Sequence, residues 1–209
     1  MKVVSVLNQK GGSGKTTVAT HVARCFQLDG SSVILIDSDP QGSARDWAAA
    51  REEQPLSVIG IDRPTIERDL KSLAKTDFVV IDGAPQAADL AVSAIKASDL
   101  ILIPVQPSPY DIWAAADLVD LVKQRIEVTD GRLKAAFLVS RAIAGTKLGQ
   151  EVAEALVGYG LPVLTTRIMQ RVAYPGSAAT GRTVFDTDPD GEAAADFIAL
   201  KNEIIQILK

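Results

Sequence analysis

The stretch that most constrains this chain is Asn8-Gln9-Lys10-Gly11-Gly12-Ser13-Gly14-Lys15-Thr16-Thr17. A strand-forming run, Val3 to Leu7, leads into it, and a helical pattern, Val18 to Leu28, leads out. Strand, glycine-rich turn, Lys-Thr and helix, in that order, make a phosphate-binding loop. Gly11, Gly12 and Gly14 let the backbone curl until its N–H groups point inward at an anion. The following helix adds its positive N-terminal end. In such a loop Lys15 reaches the β- and γ-phosphates and the Thr16 hydroxyl ligates Mg²⁺, with Ser13 and Thr17 completing the cradle.

Strand and helix patterns alternate from there to the end, which predicts α/β layers with a mainly parallel sheet flanked by helices. Strands are expected at Val33–Ile36, Leu56–Ile61, Phe78–Ile81, Leu100–Val105, Ala135–Val139 and, last, Val163–Ile168. Helices are expected at Ser43–Arg51, Pro64–Ala74, Ala87–Lys96, Ile112–Val128, Leu148–Tyr159 and Glu192–Leu208, with residues 170–189 irregular. Open parallel sheets bind ligands beyond the carboxyl ends of their strands. The loop, Asp37, Asp82 and Pro104 all fall there, so four separate segments converge on one site.

With 209 residues the chain suits one domain and is short for two. We expect a single domain over residues 1–209 with no N-terminal helix-turn-helix unit. The net charge of −4 argues against a broadly basic nucleic-acid binder but leaves room for a local patch. The one cysteine, Cys25, excludes a disulfide within the chain, fits a reducing cytosol and reads as a core residue. Neither a signal peptide nor a membrane span is expected, since no cationic, apolar leader and no long apolar window occur.

The loop departs from the ordinary G-x-x-x-x-G-K-[ST] pattern. Gln9 stands where the first glycine belongs, and a second lysine, Lys10, precedes the others. Lys10-Gly11-Gly12-Ser13-Gly14-Lys15-Thr16 resembles the deviant Walker A motif, K-G-G-x-G-K-[ST], of the ParA/MinD superfamily of ATPases. The resemblance implies a P-loop NTPase fold, ATP and Mg²⁺ as cofactors, and a homodimer that sandwiches ATP. It gives Lys10 the role of reaching the nucleotide held by the other copy. Asp37-Ser38-Asp39-Pro40-Gln41 resembles the switch I segment of the same family. By that likeness Asp39 positions the attacking water and Asp37 supports the metal through its water shell. Val79-Val80-Ile81-Asp82 looks like a Walker B strand, with Asp82 holding Mg²⁺ through water. Gly83 would then let switch II move, although Gly83-Ala84-Pro85 is a mild departure from the family's usual residues. Taken alone, each aspartate also reads as a helix cap or turn residue.

Pro104 to Asp111 resembles the P-x-x-P-S-P-x-D stretch of small, ParF-like partition proteins, where it lies at the dimer face. The other reading is a rigid connection with Asp111 as N-cap. Met169 and Gln170 stand where such proteins contact adenine. The resemblance further implies a slow ATPase, since a lysine replaces the arginine finger of faster enzymes. It implies a dimer that binds DNA without sequence preference, through basic residues for which Arg167, Arg171, Arg182, Lys201 and Lys209 are candidates. The implied setting is plasmid or chromosome partition, cytoplasmic and nucleoid-associated, with a ParB-like centromere-binding protein stimulating hydrolysis. A positioning ATPase for a protein cargo and a MinD-like membrane switch stay open. For the latter, residues 196–209 carry only two lysines, against one Asp and one Glu, which is little charge for an anionic bilayer.

Overall fold

A computed structural model describes the chain except positions 54, 74, 86, 87, 146 and 147, and the side chains of 148–150. In chain order the elements are β1 (Lys2–Val6), α1 (Lys15–Leu28), β2 (Val33–Asp37), α2 (Ser43–Ala49), β3 (Ser57–Gly60), α3 (Ile66–Asp69), β4 (Phe78–Asp82), α4 (Ala88–Ala97) and β5 (Leu100–Val105). They continue with α5 (Pro109–Trp113), α6 (Ala116–Val128), β6 (Lys134–Ala142), α7 (Leu148–Val157), β7 (Ile168–Met169), α8 (Ala173–Ala178), α9 (Val184–Thr187) and α10 (Glu192–Ile207). A 3₁₀ turn, Leu70–Leu73, follows α3. The expected helix starting at position 87 and the one ending at 74 each have one end outside the described residues.

Among the described residues the strands form a seven-stranded sheet in the order β3-β2-β4-β1-β5-β6-β7, with every pairing parallel. Helices cover both faces, so the strands read as near-continuous apolar runs rather than alternating ones. Successive residues still serve opposite layers. Val3, Val79, Ile101 and Ile103 pack with Leu118, Val122 and Leu156 on one face. Val4, Val80, Leu100 and Leu102 pack with Val18, Val22, Phe26 and Phe197 on the other. Cys25 is buried in the second layer's helix, where burial pushes its thiol up to about 11. Among the described residues no helix is long and apolar enough to cross a membrane.

Four expectations need correction. The long helix Ile112–Val128 is two helices, because Pro109 starts α5 early and Ala115, fully buried, sits at the break before α6. The cap of α5 is Ser108, not Asp111. The strand Val163–Ile168 shrinks to β7 plus one bridge from Val163 to Phe137. Its missing ladder has a cause: the N–H groups of Thr165 and Thr166 donate to the Glu203 carboxylate, each at 2.9 Å. Residues 170–189 are not irregular throughout, since they carry α8 and α9. A Thr183/Asp186 capping box starts α9.

One buried contact ties α1 to this segment. The Val184 N–H donates to His21 Nε2 at 3.2 Å, which leaves Nδ1 to carry the proton and donate to the Thr17 carbonyl at 2.7 Å. The ring stacks on Phe197 with centroids 4.5 Å apart. Burial holds His21 down at about 4, against weaker opposing pulls from the Thr17 carbonyl and Asp186. The neutral ring is therefore the folded form. Its stabilising contribution is complete above the ordinary value of 6.5 and is lost as pH falls toward 4. Between about pH 7.5 and 4.5 the natural protein should lose roughly 2–3 kcal/mol more stability than His21→Gln. Urea unfolding of both proteins at the two pH values measures the difference, and equal losses would refute it.

Candidate functional site

The residues that end the strands meet at one edge. In the register of the sheet Asp37 of β2 pairs with Asp82 of β4, and Asp82 pairs with Val6 of β1. The phosphate loop therefore leaves β1 beside both carboxylates. Gly12 and Gly14 hold φ of +76° and +93°, a left-handed backbone that side chains rarely adopt. Beside Gly11 and Gly12 the space is open, with no atom within 4 Å of where a Cβ would stand.

The loop forms one wall of a cavity of about 670 Å³, a size suited to a cofactor. Gly11, Gly12, Gly14, Lys15, Thr16 and Thr17 line that wall, and Asp39 also lines the cavity. Across it stand Met169, Gln170, Tyr174 and Pro175. Ser13 belongs to the loop but not to the wall: it is fully buried, and its carbonyl accepts the Ser140 hydroxyl at 2.8 Å. Lys15 is buried, and its ammonium donates to the Lys10 carbonyl at 3.0 Å. Desolvation lowers its pKa, while the charges of Asp82 and Asp39 pull the other way.

Asp82 carries the largest electrostatic imbalance. It is 1% exposed, and neither carboxylate oxygen has a hydrogen-bond partner among the described residues. Burial, helped by the neighbouring Asp37 and Asp39, pushes it up to about 7, opposed by the Lys15 charge and by the Thr16 hydroxyl, which lies close to the carboxylate without completing a hydrogen bond of ordinary geometry. A buried carboxylate with empty lone pairs beside a threonine hydroxyl fits a hydrated Mg²⁺, which takes oxygen ligands and keeps its waters.

Asp37 is differently placed. Its Oδ1 accepts the Asp39 N–H at 3.0 Å and its Oδ2 accepts the Arg45 N–H at 2.9 Å. It is fully buried and does not line the cavity, so its carboxylate first of all shapes the turn. Gly83 is required by packing: a Cβ there would overlap the Leu7 side chain and stand 2.9 Å from the Val6 carbonyl oxygen. Close approach to β1, rather than freedom to move, explains that glycine.

Lys10 folds back inside its own chain. Its ammonium meets Asp111 Oδ2 at 2.5 Å, and its N–H donates to Asn8 Oδ1 at 2.9 Å. Asn8 in turn donates to the Pro104 carbonyl at 2.7 Å, which stitches the loop to the proline turn. Asn8, Asp111, Gln106 and Arg141 thus support the loop without having been marked for it. The last two both donate to the Gly12 carbonyl, at 2.6 and 3.3 Å.

The basic residues divide. Arg171 is held by Glu192 at 2.7 Å and Asp196 at 3.3 Å. Lys201, 9% exposed, pairs with Asp29 against α1, so it presents no free cation. Arg167 is half-buried; Arg182 and Lys209 are exposed, with no ion pair among the described residues.

Comparisons with known proteins agree with this geometry. The profile of the CobQ/CobB/MinD/ParA nucleotide binding domain matches residues 4–184. Maintenance of carboxysome distribution protein A from Halothiobacillus neapolitanus is 32% identical, over 97% of this chain and 95% of its own. Sporulation initiation inhibitor protein Soj from Bacillus subtilis is 27% identical, over 97% and 98%. Among solved structures, the ATP complex of a Cyanothece McdA variant superposes with a TM-score of 0.77 at 18% identity, covering 98% of this chain and 96% of the other. The chain belongs to the CobQ/CobB/MinD/ParA nucleotide binding domain family, within the ParA/MinD superfamily of P-loop proteins.

Proposed function

We propose that this chain is a Mg²⁺-dependent ATPase of the ParA type, which distributes a cargo by switching between nucleotide states. The observation that carries the reading is the phosphate loop lining a cavity at the sheet edge where Asp82, buried just behind that lining, has no hydrogen-bond partner among the described residues. The loop's N–H groups and Lys15 hold the phosphates, and Met169 and Gln170 face the base. Thr16 and Asp82 hold the metal, with Asp37 in support by shaping switch I. Bound Mg²⁺ supplies charge neutralisation on the β- and γ-phosphates. Asp39, at the cavity wall, orients the attacking water. Lys10 exchanges Asp111 for the nucleotide of a second copy, so closure of the homodimer and release of this internal pair are one event. Hydrolysis is slow until a ParB-like partner stimulates it.

The dimer binds DNA without sequence preference through exposed cations, of which Arg182, Arg167 and Lys209 remain after Arg171 and Lys201 are committed to ion pairs. The cargo in this reading is a plasmid or chromosome. The 32% identity to a carboxysome distribution protein favours a second reading, a protein cargo moved by the same cycle.

Salt-titrated binding to non-specific duplex DNA, with ATP, with ADP and without nucleotide, tests the shared step. Binding that requires ATP and weakens steeply with salt is the expected result, because displaced counterions produce that slope. A folded, ATP-dimeric protein that ignores DNA would overturn the nucleoid-bound cycle.

A further inference from the structure

Arg45, on α2, turns its side chain back to the site. Its Nη2 donates to the Asp39 carbonyl at 3.0 Å, and its Nε lies 3.5 Å from Asp37 Oδ2. Its backbone N–H already bonds the same carboxylate oxygen, at 2.9 Å. The arginine therefore clasps the switch I turn from both its backbone and its guanidinium. A fourth contact, to Asp62 at 3.9 Å, joins two partly exposed groups and contributes little.

The path of this side chain is built into the chain around it. A Cβ at Gly60 would stand 3.0 Å from Arg45 Cδ and Nη1. A Cβ at Gly42 would stand 3.2 Å from Nη2. Gly42 is also needed for its φ of +74° at the cap of α2, but Gly60 has no left-handed backbone to explain it. The absent side chain at Gly60, at the end of β3 and paired in register with Asp37, leaves the slot through which the guanidinium reaches the turn.

We infer that Arg45 is a positioning residue for ATP hydrolysis, which fixes the backbone of Asp39 so that its carboxylate meets the attacking water. The inference rests on the role proposed above for Asp39. A guanidinium suits the task because its rigid planar fork can donate to the Asp39 carbonyl while holding its charge beside the Asp37 carboxylate, which a compact ammonium does not do. Among the described residues its hydrogen bonds and ion pairs go to Asp37, Asp39 and Asp62 and not to the phosphate loop, so its work is on geometry and not on nucleotide affinity. A water held about 1 Å from its productive place can cost on the order of a hundredfold in rate.

The test measures phosphate release at saturating ATP, and separately the affinity for ATP, in Arg45→Met, Arg45→Lys, Gly60→Val and the double variant Arg45→Met/Gly60→Val. Arg45→Met should lower kcat by roughly ten- to a hundredfold while ATP affinity stays within about threefold. Arg45→Lys should recover little of the rate. Gly60→Val, which blocks the slot and leaves the arginine in place, should lower kcat in the same sense, and the double variant should be no slower than the slower single one. Trp47, on the same helix and donating to the Arg182 carbonyl at 3.0 Å, reports whether α2 keeps its place; its emission in a Trp113→Phe background should be unchanged. A kcat in Arg45→Met within about twofold of the natural protein, an affinity that falls in step with kcat, or losses that add in the double variant would each overturn the inference. Asp39→Ala separates the two layers of argument. If it hydrolyses ATP at the natural rate, the reading of Asp39 fails; if it is slow and Arg45→Met is not, the arginine's role alone fails.

Discussion

Lys15→Ala should lower ATP affinity by at least about a hundredfold, close to 2.7 kcal/mol, while leaving the fold intact. The two halves of this expectation come from the same side chain. Lys15 is buried at the floor of the cavity, and among the described residues its ammonium makes one hydrogen bond, to the Lys10 carbonyl. Burial works against its charge strongly enough to lower its pKa even with Asp82 and Asp39 nearby. The free protein therefore gains little from this lysine, and truncation should move the melting temperature only slightly. A polyphosphate changes the balance, since a charge-assisted hydrogen bond in a desolvated site is stronger than one made to water. Titration with a fluorescent ATP analogue, beside a thermal melt of the free variant, reads both halves. Unchanged affinity would sink the phosphate-loop assignment and, with it, the ATPase reading.

The same lysine shows what the sequence made legible. The loop is a local object, specified by glycines, two lysines and a flanking strand and helix within about ten residues, and it folds as read. The buried strands were legible for the same reason, because an apolar run bounded by polar residues needs no distant partner to be recognised. That Asp37 and Asp82 lie at the same edge followed from each carboxylate ending such a run, whereas the register that pairs them is set by the strand order. What escaped depends on distant partners. Lys10 meets Asp111 across 101 positions, and no pattern near either residue announces the pair. Glu203 interrupts the expected last strand from 38 and 37 positions away, by taking the N–H groups of Thr165 and Thr166. Lys201 reads as a surface cation until Asp29 is placed opposite it. Arg45 is a different failure. Its partners are local, but helical periodicity marks it only as polar, and nothing short of the Gly60 slot directs it inward. The Thr183/Asp186 box could have been found, as its spacing is an ordinary helix-start signature.

Asp82→Asn should make the free protein more stable and the nucleotide-bound protein worse at using Mg²⁺. Both oxygens of Asp82 are buried without a hydrogen-bond partner among the described residues, which is a cost to the folded state. The sign follows from its ionisation. Burial raises this carboxyl from 3.8 to about 7, so the folded protein holds the proton more tightly than the unfolded chain does. Stability therefore falls as pH rises from 3.8 to about 7, and the full cost is present above that. An uncharged amide removes it, with a gain of ~1–3 kcal/mol above neutral pH. For a domain of this size that is a rise in melting temperature of roughly 3–8 °C, smaller at about pH 5, where the acid is mostly protonated already. The gain is a measure of what the site gives up in readiness for a cation. ATP binding to the natural protein should strengthen when Mg²⁺ replaces EDTA, and in Asp82→Asn that increment should shrink by about ten- to a hundredfold. A melting temperature that falls would show that Asp82 serves the fold. An undiminished Mg²⁺ increment would move the metal away from β4. A rise in stability paired with a lost increment would mean that the sheet edge holds an unfavourable charge in the absence of ligand because the nucleotide-bound metal compensates it, which is how a fold can make its own nucleotide state matter.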